Sequence, residues 1–206
     1  MSDLRLDDMN SMHFDVLKEI SNIGAGNATT ALSKMLDSKV DMKVPNIQFM
    51  PFAELAEAIG GAENLICGIL FTFESGIDGM MMFLLESNSA EKIVNQLMGK
   101  SGGKLQEFDE MDLSALKEIG NIIAGSYLSA ISAFTNMTIT SSVPYLSIDM
   151  AGAILSVPAI EFGKMSDKAL LIESQFGDLD TLINGYFILI PTLEAFHTIF
   201  SSLGIE

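Results

Sequence analysis

Cysteine is nearly absent. Cys67 stands alone, so no disulfide can form within the chain, and a reducing compartment is expected. It sits in the apolar run 65–70, where it reads as a buried, inert thiol. Histidine is scarce as well. His13 and His197 stand far apart with no nucleophile partner and no metal-ligand spacing, and His13 falls near the apolar side of a helix, where packing or partial exposure is expected. Positive charge is also short: 11 Lys and Arg face 27 Asp and Glu, a formal net charge of −16. That balance argues against a nucleic-acid partner and against anionic membranes. Apolar runs such as 80–85 are far below the roughly 20 residues a membrane helix needs. The N-terminal residues carry Asp3, Asp7 and Asp8 in place of an apolar signal segment, so a cytoplasmic protein with no membrane insertion is expected.

What is present is a packed composition, 49% hydrophobic, and a repeat. From Phe14 the chain reads Phe-Asp-Val-Leu-Lys-Glu-Ile-Ser-Asn-Ile-Gly-Ala-Gly, and from Leu113 it reads Leu-Ser-Ala-Leu-Lys-Glu-Ile-Gly-Asn-Ile-Ile-Ala-Gly. Glu19, Asn22, Gly26 and Pro45 recur as Glu118, Asn121, Gly125 and Pro144, all at an offset of 99. Twelve of the 32 residues from 14 to 45 match their partners, against roughly one in fifteen to twenty by chance. A period of about a hundred residues means two similar halves rather than a solenoid.

At about 100° per residue, Asp15, Glu19 and Asn22 share a narrow helical arc, continued by Gly26, Thr29, Thr30 and Ser33. The opposite arc carries Leu17, Ile20, Ala28 and Leu32. Ser114, Glu118, Asn121, Gly125, Ser129 and Ser132 repeat the polar arc in the second copy. An ordinary solvated face is filled with long, good helix formers; a mid-helix Gly costs about 1 kcal/mol relative to Ala. Two explanations stand: Gly26 and Gly125 let the helices pack on each other or on a strand, or they keep the surface low for another protein's backbone or a phosphorylated loop.

The chemistry open to Glu plus Asn is narrow. An amide has no useful acid–base function, but it donates to one oxygen and accepts from a water, fixing the water's position. Phosphoryl hydrolysis through a loose transition state needs such in-line positioning more than a strong base. A Glu one turn away can grip a cation beside the phosphate, such as a partner's lysine.

The pattern Asp/Ser-x-x-x-Glu-x-x-Asn, followed by 22 residues and Pro, is present twice: Asp15, Glu19, Asn22, Pro45 and Ser114, Glu118, Asn121, Pro144. It resembles the CheC/CheX/FliY family of bacterial chemotaxis phosphatases, and the runs 22–27 and 120–128 strengthen the likeness. The resemblance implies hydrolysis of the aspartyl phosphate of the response regulator CheY. Glu19 and Glu118 would engage the regulator's lysine, and Asn22 and Asn121 would orient the attacking water. The chain would need no cofactor of its own, since the magnesium belongs to the regulator. The resemblance also implies docking of the receptor deamidase CheD. Asp149, which follows an apolar strand, reads by type as a helix N-cap, and the resemblance adds a role in that docking. A non-enzymatic adaptor that binds and regulates CheD is the alternative. Two motifs in one chain imply an internal pseudo-dimer and a monomer.

In chain order, residues 1–9 are acidic and expected to be frayed. A helix follows to about residue 36, then an edge or bulged strand with Pro45 over 40–50 and a short helix before Gly60 and Gly61. A hairpin is expected over 64–74 and 78–86, with Met80, Met81 and Met82 alternating in exposure. Ser87 or Ser89 then caps a helix ended by Gly99. Residues 101–104 read as the linker between halves of about 9–103 and 104–206, which together form one domain. The second half repeats the order: a helix over 109–136, a strand over 137–148, a short segment over 150–160, a hairpin and a last helix begun by Pro191. The expected fold is α+β, a duplicated α-β-α-β-β-α unit with pseudo-twofold symmetry. One merged antiparallel sheet carries the two motif helices side by side on one face.

Overall fold

The computed structural model describes residues 9–100, 108–162, 168–177 and 182–205. The expected fraying of the first residues and the linker at 101–104 lie outside them. The first half runs α1 (Ser11–Met35), β1 (Asp41–Pro51), α2 (Phe52–Ala58), β2 (Leu65–Glu74), β3 (Gly79–Glu86) and α3 (Ser87–Met98). The second runs α4 (Glu110–Thr135), β4 (Thr140–Ser141), β5 (Tyr145–Met150), α5 (Ala151–Phe162), β6 (Lys168–Gly177), β7 (Leu182–Pro191) and α6 (Leu193–Ser202). The α-β-α-β-β-α order therefore occurs twice.

The strands form one antiparallel sheet in the order β1-β6-β7-β3-β2-β4, with β5 also paired to β2. β7 and β3 meet at the centre, with Phe83 opposite Phe187. Each half contributes a hairpin, and its first strand crosses over to pair with the hairpin of the other half: β1 joins β6, and β4 with β5 joins β2. The halves are thus interlocked at both sheet edges, a pairing that local sequence patterns do not encode.

Both edges are marked by the repeated proline, which lacks an N–H for the ladder. At Pro45 the β1–β6 register shifts between Lys43 and Asn46 while the strand continues. At Pro144 the strand expected over 137–148 is interrupted, leaving β4 and β5. Ser142 bridges the gap: its N–H donates to the Thr72 carbonyl (2.8 Å) and its hydroxyl accepts from the Thr72 N–H (3.1 Å).

Helices cover both faces of the sheet. α1, α3, α4 and α6 bury one core with Met81, Phe83, Leu85, Ile172 and Phe187. α2 and α5 bury another with Met82, Leu84, Leu171 and Ile188. This double cover corrects the expected alternation of the methionines: Met80, Met81 and Met82 are all buried, because a central strand in a three-layer arrangement has no solvated face. Gly99 ends α3 in the left-handed region (φ 61°) as expected. Its start differs: Glu86 is the N-cap without a side-chain bond, so neither Ser87 nor Ser89 caps it. Pro191 closes β7, and the Thr192 hydroxyl caps α6 by accepting from the Ala195 N–H.

Candidate active site

The two motif helices lie against each other, and glycine sets their approach. A Cβ placed on Gly24 of α1 would lie 3.1 Å from the Tyr127 Cα of α4, tighter than an ordinary contact, so glycine lets the helices come this close. Tyr127 is held from behind by stacking on Phe187 at 4.4 Å. α4 is seated on the sheet by Gly120, where a Cβ would meet Ile69 of β2 at 2.7 Å.

Gly26 and Gly125 have no such duty. Nothing lies within 4 Å of a Cβ added at either position, which removes helix packing as their explanation. Both are exposed, as are Asp15, Glu19 and Asn22 on α1 and Ser114, Glu118 and Asn121 on α4. The Glu and Asn side chains of both copies make no hydrogen bond or ion pair among the described residues. Ser114 donates to the Glu110 carbonyl one turn back (2.8 Å), whereas Asp15 is unengaged.

The far end of the polar arc is structural. The Ser33 hydroxyl accepts from the Val40 N–H (3.0 Å), and that of Ser132 donates to the Met137 carbonyl, so both tie the helix end to the turn that follows. Thr29 and Thr30 bond back to the carbonyls of Ala25 and Gly26. Among the described residues the unengaged side chains of the arcs are therefore Asp15, Glu19 and Asn22 on α1 and Glu118, Asn121 and Ser129 on α4, beside Gly26 and Gly125. Pro45 is exposed on β1, and Pro144 is half-buried in the break between β4 and β5, each following its own motif helix.

Other reactive groups are withdrawn. Burial pushes the Cys67 thiol up to about 12 and the Tyr127 hydroxyl up to about 12, so neither supplies a nucleophile near neutral pH. Among the described residues no three acidic, histidine or cysteine side chains cluster as a metal site. No helix among them is long and apolar enough to cross a membrane.

Asp149 does not join the motif residues. It is exposed in β5, its carboxylate accepts from the adjacent Met150 N–H (2.7 Å), and it lines an open hollow with Tyr145, Ser147, Ile154 and Val157. It is not the expected cap of α5: the Ala151 and Gly152 N–H groups donate instead to the carbonyls of Asn64 and Ala62.

Two further pairs at the offset of 99 stand outside the Glu–Asn motif. Met12 and Met111 are exposed in the first turns of α1 and α4, and Lys18 and Lys117 are exposed one turn before the Asn residues.

A family profile described as CheC-like matches residues 12–48 and 111–148, the two motif helices with their edge strands. The CheY-P phosphatase CheC of Bacillus subtilis (strain 168) is 32% identical over 194 residues, covering 92% of this chain and 93% of that protein. The chain belongs to the CheC-like family. Among solved structures, Thermotoga maritima FliY matches with a TM-score of 0.77 at 20% identity, over 95% of this chain and 98% of that one. The CheX–CheY–BeF3–Mg2+ complex of Borrelia burgdorferi matches with a TM-score of 0.50 at 15% identity, over 84% of this chain and 96% of that one. Within a CheC-like fold, the two family segments bring Glu19–Asn22 and Glu118–Asn121 to the outer surface of one helical layer.

Proposed function

We propose that this chain is a phosphatase for the aspartyl phosphate of a CheY-type response regulator, with one site on each motif helix. The observation that carries the reading is the repeated, exposed Glu–Asn pair with no partner inside its own chain, beside a glycine that packing does not require. Exposed polar groups without internal partners, kept in both halves, suit a surface completed by another protein.

In the proposed reaction the regulator docks with its phosphoryl group facing Asn22 or Asn121. The amide holds a water in line with the scissile bond. The water oxygen attacks phosphorus, the bond from phosphorus to the aspartyl oxygen breaks, and the products are inorganic phosphate and the regulator's free carboxylate. The water's proton leaves with the phosphate or to solvent, so no strong base is needed. Glu19 or Glu118 grips the regulator's lysine and fixes the alignment. Magnesium, supplied by the regulator, neutralises charge on the phosphoryl oxygens. Gly26 and Gly125 allow the regulator's backbone to approach.

The test is the rate of phosphate loss from phosphorylated regulator with the chain and with its Asn22→Ala/Asn121→Ala variant. In-line positioning is the whole of the proposed contribution, so the double variant should lose essentially all acceleration while still folding. A rate equal to that of the unsubstituted chain removes the mechanism.

A second reading, an adaptor that docks the receptor deamidase CheD, draws support from the other side of the molecule. Tyr145 and Val157 are exposed at the Asp149 hollow, and Ile160 is exposed about one turn further along α5. Capture of CheD by the chain but not by an Asp149→Ala/Val157→Ser variant is its test. The two readings can both hold, since they use different surfaces.

A further inference from the structure

Eight large apolar side chains are exposed among the described residues: Met12, Leu65, Met111, Val143, Tyr145, Met150, Val157 and Ile160. Five belong to β5, α5 or the adjacent Val143 and break the pseudo-symmetry, and Leu65 opens β2, paired with Met150 of β5. Val143 corresponds to buried Val44 and Tyr145 to Asn46, while Ile160 lies on the part of α5 that extends past the length of α2. The other two are each other's counterparts. Met12 is 58% exposed and Met111 is 63% exposed, at the same offset of 99 that relates the Glu–Asn pairs.

Their place on the helix is specific. Met12 precedes Glu19 by seven residues, and Met111 precedes Glu118 by seven. That spacing brings each methionine onto the strip of surface that carries the glutamate, about 10 Å nearer the helix start. A lone exposed methionine is ordinary. A pair retained by both halves, in line with both glutamates, is not explained by the core, because neither side chain is buried in it.

We propose that Met12 and Met111 are the apolar anchors that seat the phosphorylated regulator on the two sites. The inference rests on the phosphatase reading above and adds the contact that supplies binding rather than chemistry. The occupant is the regulator because the strip is continuous with the Glu–Asn pair, so a protein presenting a phosphoryl group to Asn22 or Asn121 extends over the neighbouring turns. The polar arc itself offers little binding energy, since Glu, Asn and Gly exchange water contacts for protein contacts at small net gain. A flexible thioether beside it supplies apolar area and adapts to an irregular surface. The regulator surface it meets is accordingly apolar and lies about three helical turns, roughly 15 Å, from the phosphorylation site.

The experiment measures dephosphorylation kinetics, and binding to regulator loaded with magnesium and beryllofluoride, for the full chain and a Met12→Gln/Met111→Gln variant. Gln matches Met in length and helix propensity, so the fold is retained; circular dichroism and melting check this. Burial of one methionine corresponds to about tenfold or more in affinity. KM and Kd should therefore rise by about tenfold or more while kcat stays within about twofold, and Met12→Leu/Met111→Leu should restore both. Unchanged KM and Kd overturn the proposal, as does a fall in kcat at constant KM. A wild-type dimer that the Gln substitutions dissociate, with catalysis unaltered, assigns the methionines to a second copy of the chain and also overturns it. Failure of the phosphatase reading looks different: the unsubstituted chain then gives no acceleration and the Asn22→Ala/Asn121→Ala variant matches it.

Discussion

His13 and Asp112 occupy the same place in the two motif helices and close the same bond. His13 Nδ1 accepts the main-chain N–H of Asn10 at 3.1 Å, and Asp112 Oδ2 accepts that of Asp109 at 3.1 Å. Each completes a reciprocal cap, because the side chains of Asn10 and Asp109 accept from N–H groups of the first turn. Both side chains are buried, His13 at 1% exposure and Asp112 at 0%. Their anchors differ: the His13 ring stands edge-on to Phe200 of α6 at 4.5 Å, whereas Asp112 is paired with Lys100 at 2.5 Å. One start is fastened by packing and the other by charge.

That difference predicts a difference in salt response. Replacing His13 by Ala removes the cap acceptor and the ring contact, and should destabilise the fold by about 2 to 4 kcal/mol, a loss that added salt leaves in place. Lys100→Met should also lower the urea midpoint, by leaving a buried carboxylate without its cation. Urea melts at low and high salt separate the two cases.

Charge at the start of α4 also makes stability depend on pH. The Asp112 carboxylate beside Lys100 raises the lysine above its ordinary value. Its stabilising contribution is therefore full below about pH 10 and is lost as pH rises through the folded value. The Asp109 carboxyl is lowered, chiefly by the Asp112 N–H and then by Lys100. Its contribution is present above about pH 4 and is lost as pH falls further. Melting temperature should fall at both ends for the unsubstituted chain, and Lys100→Met should blunt the alkaline fall.

Glycine substitutions should separate folding from function. Gly26→Ala/Gly125→Ala meets open space, so stability should stay constant or rise by up to about 1 kcal/mol per site through helix propensity. Activity on the phosphorylated regulator should drop if, as proposed, its backbone approaches where the added methyl groups would stand. Gly24→Ala should do the reverse: its Cβ would press on the Tyr127 backbone, at a cost of about 1 to 3 kcal/mol. Paired melts and rate assays on the two variants decide this.

Much of this arrangement was legible in the sequence, and the exceptions have physical causes. The period of α1 and α4 persists for over 20 residues, so their exposed and buried arcs were readable, and the repeat marked Glu19, Asn22, Glu118 and Asn121 without any structure. Pro45 announced an edge strand. The exchange of β1 and β5 between halves was not legible, because the pairing partners of Asn46 and Leu146 are Glu173 and Ile69, far along the chain. Burial of all three methionines in β3 depends on α2 and α5 covering the second face, which no local pattern states. The equivalence of His13 and Asp112 was hidden because two unlike side chains accept the same bond. Gly24, more than Gly26, proved to be the packing glycine, a distinction set by what stands opposite.

The Glu–Asn account is tested most directly by counting turnover at each site. Phosphate release from a CheY-type regulator should fall to the regulator's own rate with Asn22→Ala/Asn121→Ala, while Asn22→Ala alone and Asn121→Ala alone each retain part of the acceleration. Full acceleration by the folded double variant would contradict the account.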